Sequence, residues 1–133
     1  MRTTSNIRRF KLSEAFIEPY KTREVPWGPL GYVTFKRTYA RRLSEFETGA
    51  EGTEEWWQTC RRVIDAMFDM QKQHVYHLGL EWNDSKAQAT AKDAYDRLFN
   101  LKWTPPGRGL WMMGTKFVEE RTAAGLFNCA FRS

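Results

Sequence analysis

Over residues 54–75, apolar side chains recur at Trp56, Cys60, Val63, Met67 and Met70, with Trp57, Ile64 and Phe68 beside them. That spacing of three and four is the signature of a helix with one broad buried face. It commits the middle of the chain to a helix that needs packing partners. Thr53 is placed to cap it, and Glu54 and Glu55 fall where the positive end of the helix dipole favours acids. A second helix is expected over residues 85–101, where Ala87, Ala91, Ala94, Tyr95, Leu98 and Phe99 line one face. Ser85 and Gln88 have the spacing of a capping box, in which each satisfies a free backbone donor.

Around this pair the pattern is looser. Residues 1–12 read as a flexible arm. Ser13 can cap a short helix with Glu14 and Glu18 near its start, and Pro19 keeps that helix brief. Residues 25–31 are rich in turn formers and read as irregular. Residues 32–43 (YVTFKRTYARRL) open with β-formers and close basic, leaving strand and helix both open. Residues 47–52 read as loop, and so do residues 104–109 (TPPGRG). Residues 126–131 (LFNCAF) alternate as a β-strand, with Phe127, Cys129 and Phe131 on one face and Asn128 and Ala130 on the other.

An apolar strand needs hydrogen-bonded neighbours. Few other convincing strands are present to supply them, so the sequence reads as part of a longer protein. The organisation expected is an arm (1–12), a mostly helical region (13–103), and a loop leading into a strand (104–133).

With 41% hydrophobic and 15% aromatic residues among 133, there is ample material for a packed core, and general disorder is excluded. No stretch approaches the roughly 20 apolar residues of a membrane helix, so no membrane partner is expected. The basic first ten residues have no apolar run behind them, which is not a secretory signal. Together with only two cysteines, Cys60 and Cys129, this points to the cytoplasm, where thiols stay reduced unless chemistry uses them. The net charge is +5, with the positive excess at the two ends, a distribution that can attract nucleotides or nucleic acid.

Several constellations bear on chemistry. His74 and His77 lie three apart near a helix end, but a metal site wants further ligands and none is evident. Lys36, Arg37, Arg41 and Arg42, interleaved with Phe35 and Tyr39, form the pattern of a basic stacking platform, although a solvated charged face looks the same in sequence. Six tryptophans and the Trp111-Met112-Met113 run read first as core. In PPGRG, glycines permit close backbone approach to an anion, and Arg108 can fork onto phosphate, yet neither a Walker nor a dinucleotide motif is present. A mid-strand cysteine such as Cys129 is usually a small buried hydrophobe, and Cys60, on a helix face, reads as core.

Three strings add what spacing cannot. WGPLGYVTFKRTYAR (27–41), TPPGRGLWMMGT (104–115) and LFNCAF (126–131) resemble, in order and separation, the opening of the monomeric adenosylcobalamin-dependent (class II) ribonucleoside-triphosphate reductases. The resemblance implies a mainly α N-terminal region leading into the first strand of a ten-stranded α/β barrel, incomplete in this chain. It implies reduction of ribonucleoside triphosphates by a thiyl radical that takes the ribose 3′ hydrogen, with two further cysteines ending as a disulfide. By motif position Cys129 corresponds to the earlier of those two. Asn128, Arg108 and Thr115 become candidate substrate contacts. Adenosylcobalamin is the implied cofactor, held mainly by downstream sequence, where the radical cysteine, the second reducing cysteine and a glutamate beside them would also lie. The implied partners are the substrate, the remainder of the reductase, and a thioredoxin-like or dithiol reductant. The rival reading is a small basic nucleotide- or nucleic-acid-binding module without redox activity, in which Cys129 would be dispensable.

Overall fold

The computed structural model describes residues 8–105 and 107–115, and at Arg108 the backbone alone. The described residues form five α-helices: α1 (Glu14–Lys21), α2 (Pro29–Thr38), α3 (Trp56–His77), α4 (Asp84–Phe99) and α5 (Gly107–Met112). Between α2 and α3 lies a 3-10 turn, Leu43–Glu45, flanked by a single antiparallel bridge from Arg42 to Thr53. No strand ladder occurs among the described residues, and residues 126–131 lie outside them. No described helix is long and apolar enough to cross a membrane.

The α3–α4 hairpin is the spine, and it forms where periodicity places it. Trp56, Cys60, Val63 and Ile64 of α3 meet Ala91, Tyr95, Leu98 and Phe99 of α4 in the core. The alanines let the two backbones approach while the large residues fill the ends. Met70 is 46% exposed, so the apolar stripe outruns its cover. Two polar ring groups carried inside the hairpin find acceptors, as burial demands. Trp56 Nε1 donates to the Phe99 carbonyl at 3.0 Å, and the Tyr95 hydroxyl to that of Trp57 at 3.0 Å.

The helix starts differ from those expected. Helix α3 is capped at Glu55, whose N–H donates to Gln58 Oε1 at 2.7 Å, while Thr53 is drawn into the bridge with Arg42. Helix α4 starts earlier than the Ser85–Gln88 spacing suggests. Asn83 caps it, accepting the Lys86 N–H at 3.1 Å. Gln88 is free for another task, taking the Ser13 N–H (3.2 Å) and donating to the Lys11 carbonyl (2.7 Å).

Those bonds belong to a strap. Residues 8–12, expected within the flexible arm, run across α3 and α4 with Phe10 and Leu12 buried. Asp69 accepts the Phe10 N–H at 3.0 Å, and Asp65 accepts that of Leu12 at 2.9 Å. Two apolar anchors with satisfied amides outweigh the loose local pattern on which the expectation rested. Helix α1 follows as anticipated, with Ser13 at its cap and its end two residues past Pro19.

Residues 29–38 resolve as helix. Gly28 is the cap and Pro29 occupies the first helical position, where a missing N–H costs nothing. The irregular segment expected over 25–31 thus stops at Gly28. The β-formers of YVTF are overruled by packing. Phe35 is driven into the core between Trp27 and Trp56, at ring separations of 5.6 and 5.4 Å. Lys36 Nζ is tied to the carbonyls of Thr53 and Glu54 at 3.1 and 2.9 Å.

Asp65 carries a pH signature. Burial pushes its carboxyl from 3.8 up to about 6, against the opposing pull of the Leu12 N–H and of Arg61 3.5 Å away. The charged form is thus the one the fold disfavours. The stabilisation is complete below the unfolded value near 3.8 and is lost as pH rises through about 6, a change of up to about 3 kcal/mol. Glu14, lowered by Arg61, pulls in the opposite sense. The informative quantity is therefore the difference between parent and Asp65→Asn in denaturant unfolding at about pH 4.5 and about pH 7.5, on either side of the shifted value. The new amide oxygen still accepts the Leu12 N–H, and the variant should gain on the parent as pH rises. Equal slopes would remove Asp65 as the cause.

Candidate functional site

The segments 27–41 and 104–115, some sixty residues apart, meet at one end of the α3–α4 hairpin. Trp27, Leu30, Phe35 and Tyr39 from the first and Thr104 and Leu110 from the second line a hollow of about 400 Å³, closed by Trp56 and Leu101. The Arg41 guanidinium stands 5.2 Å from the Trp111 ring centroid, a cation–π contact across the two segments. Trp27 Nε1 is buried there without a hydrogen-bond partner among the described residues.

The expected loop over residues 104–109 gives way to helix from Gly107 onward. Its glycines serve contact. A Cβ on Gly107 would lie 3.4 Å from the Tyr39 ring, and one on Gly109 would lie 3.1 Å from Pro105 Cβ. Missing side chains therefore let α5 nest against α2 and its own approach.

What fixes α5 is a buried ion pair. Glu54 and Arg62 have side chains only 3% and 7% exposed, and they pair through two bonds, Nε to Oε2 at 2.9 Å and Nη2 to Oε1 at 3.1 Å. Glu54 Oε1 also accepts the Arg41 N–H (2.9 Å) and the Thr59 hydroxyl (3.0 Å). On its outer side Arg62 donates to the carbonyls of Leu110 and Met113, each at 2.5 Å. These belong to the last turn of α5 and the residue after it, acceptors left without helical partners and favourable to a cation. Gly114 follows with φ +79°, and a Cβ there would stand 2.9 Å from Arg62 Cγ. One arginine thus joins α3, the Arg41 end of the first segment and the end of the second.

The site residues read from sequence are placed unevenly. Thr115 is buried just past α5, its hydroxyl and its backbone N–H both donating to the Met112 carbonyl, at 2.6 and 3.0 Å, which leaves the hydroxyl lone pairs for any other contact. Arg108 lies in the first turn of α5. Asn128 and Cys129 lie outside the described residues. Cys60 is fully buried, and desolvation pushes its thiol well above the ordinary value, as suits a core residue.

The basic stacking platform does not assemble. Phe35 is core, Lys36 is held by carbonyls and by Glu55, and Arg41 pairs with Glu45 at 2.9 Å, leaving Arg37 and Arg42 exposed. Among the described residues no group of three His, Cys, Asp or Glu side chains could hold a metal, and His74 and His77 stand exposed at the end of α3.

Sequence reasoning missed the Glu54–Arg62 pair. Glu54 reads as an ordinary first-turn acid and Arg62 as part of a polar face. The available signal was faint: a charged residue eight positions from a carboxylate, bordering the apolar stripe.

A family model of the ribonucleotide reductase alpha domain matches residues 12–115, the stretch that carries the helical hairpin and both glycine-bearing segments. The chain belongs to the ribonucleotide reductase family. Its relatives narrow the class. It is 39% identical over 130 residues to a probable adenosylcobalamin-dependent ribonucleoside-triphosphate reductase of Dictyostelium discoideum, covering 96% of this chain and 16% of that protein. It is 40% identical over 129 residues to the adenosylcobalamin-dependent ribonucleoside-triphosphate reductase of Euglena gracilis, covering 94% and 17%. A crystal structure of a B-12 dependent (class II) ribonucleotide reductase superimposes with a TM-score of 0.73 at 33% identity, over 91% of this chain and 16% of that one. The chain therefore spans about a sixth of the length of these relatives and resembles the N-terminal portion of adenosylcobalamin-dependent reductases.

Proposed function

We propose that this chain is the N-terminal part of an adenosylcobalamin-dependent ribonucleoside-triphosphate reductase, and that it contributes one reducing cysteine to the active site. The observation that carries the reading is the agreement of sequence and fold over nearly the whole chain with reductases of that one class. The substrates are ribonucleoside triphosphates, following the relatives' names. The location is the cytoplasm.

In this reading residues 126–131 form the first strand of the α/β barrel, whose other strands come from the remainder of the enzyme. Cys129 on that strand is one of two thiols that supply two electrons and two protons as the ribose 2′ hydroxyl leaves as water. The pair ends as a disulfide, which an external dithiol or thioredoxin-like protein re-reduces by exchange. Arg108, Thr115 and Asn128 contact the nucleotide.

The described residues do not fit the cofactor. The hollow of about 400 Å³ is lined mainly by apolar side chains, four of them aromatic, and is too small for a corrinoid. The cofactor is assigned to the remainder of the enzyme.

The test is an assay of the full-length protein with a ribonucleoside triphosphate, adenosylcobalamin and a dithiol. Deoxynucleoside triphosphate should form, and only when both additions are present. No product from well-folded full-length enzyme would sink the assignment.

A further inference from the structure

We propose that Arg62 is a positioning residue for nucleotide binding, acting through the carbonyls of Leu110 and Met113 to hold the turn that carries Thr115. The inference rests on the reductase reading above. It deepens that reading by naming a residue that touches no substrate and yet sets its affinity.

The geometry has three independent parts. Arg62 reaches two carbonyls at the end of α5 and has no spare freedom to move, because its other edge is locked to a buried carboxylate. Glu54 is in turn held by the Arg41 N–H and the Thr59 hydroxyl, so the clamp is anchored in both α3 and the first glycine-bearing segment. The chain then turns at Gly114 with no room for a side chain, its Cα seated against the Arg62 stem and the Arg62 carbonyl. Helix α5 is only six residues long and has few core contacts apart from Leu110. A helix so short is marginal by itself, so its position follows from what grips it. The grip falls within two residues of Thr115.

The clamp can be loosened in two unrelated ways. Arg62→Lys keeps the charge but cannot reach Glu54 and both carbonyls together, because an ammonium lacks the planar fork. Gly114→Ala leaves every charge in place and pushes the turn off the Arg62 stem. Ala91→Gly serves as the control, since it loosens the buried face of α4 rather than the hold on α5. In the full-length enzyme, both clamp variants should raise the nucleotide KM by roughly tenfold with kcat little changed, the pattern of lost uniform binding. Ala91→Gly should lower the melting temperature without moving KM. Arg62→Lys and Gly114→Ala with parental KM, in an enzyme that reduces nucleotides, would overturn this inference and leave the reductase reading intact. A KM that rises equally in Ala91→Gly would reduce Arg62 to a general stabiliser. A full-length parent that reduces nothing would remove the reading and the role of Arg62 together.

Discussion

Cys129→Ser in the full-length enzyme is expected to abolish multiple turnover supported by an external dithiol, with a fall of at least about two orders of magnitude. The reason lies in electron supply. Removing the 2′ hydroxyl as water consumes two electrons, and a pair of thiols delivers them only by closing a disulfide. On the proposed assignment of Cys129 to the reducing pair, a hydroxyl in place of its thiol leaves the partner alone, with no disulfide to close. Cys60 is the internal control. It is fully buried with a thiol pushed upward by desolvation, so Cys60→Ala should cost some stability and leave turnover per folded molecule near the parent's. The measurement is steady-state product formation with thiol in excess, parent and variants side by side. A Cys129→Ser enzyme that cycles at the parental rate would exclude Cys129 from the reducing pair.

The α3–α4 hairpin was legible because its signal is periodic, with Cys60 and Val63 on one face of α3 and Ala91 and Leu98 on one face of α4. What failed was local reasoning where tertiary contacts decide. The YVTF string, open between strand and helix on local grounds, is helical because Phe35 is needed in the core and Lys36 finds carbonyls to bind. Gln88 has capping-box spacing from Ser85, but the strap claims its side chain instead. Residues 8–12 look polar and loose, but Phe10 and Leu12 are two good anchors that averaging over a segment dilutes. At the site, the glycine-bearing segments were visible as motifs, while their convergence was not, since no local rule brings Tyr39 to Gly107. The Glu54–Arg62 pair was the least legible of all. Its importance comes from burial, and burial of a charge cannot be read from its identity.

That burial makes Arg62 a large stability determinant outside the apolar core of the described residues. Arg62→Met should destabilise the fold by about 3–5 kcal/mol, because it leaves the Glu54 carboxylate almost fully buried without its counter-charge. For a chain of this size that corresponds to roughly 10–20 °C in melting temperature. The loss is mostly the penalty of the orphaned charge and only partly the worth of the pair. Adding Glu54→Gln to Arg62→Met therefore tests the argument directly. The amide oxygen still accepts from the Arg41 N–H and the Thr59 hydroxyl, whereas the uncompensated charge is gone. The double variant should recover at least about half of what the single variant lost, although the carbonyls of Leu110 and Met113 stay unserved in both. Thermal melts of the three proteins decide it. A double variant no more stable than Arg62→Met would mean that the helix-end carbonyls, rather than the buried carboxylate, carry the cost, and that the hold on α5 is the greater part of what Arg62 does.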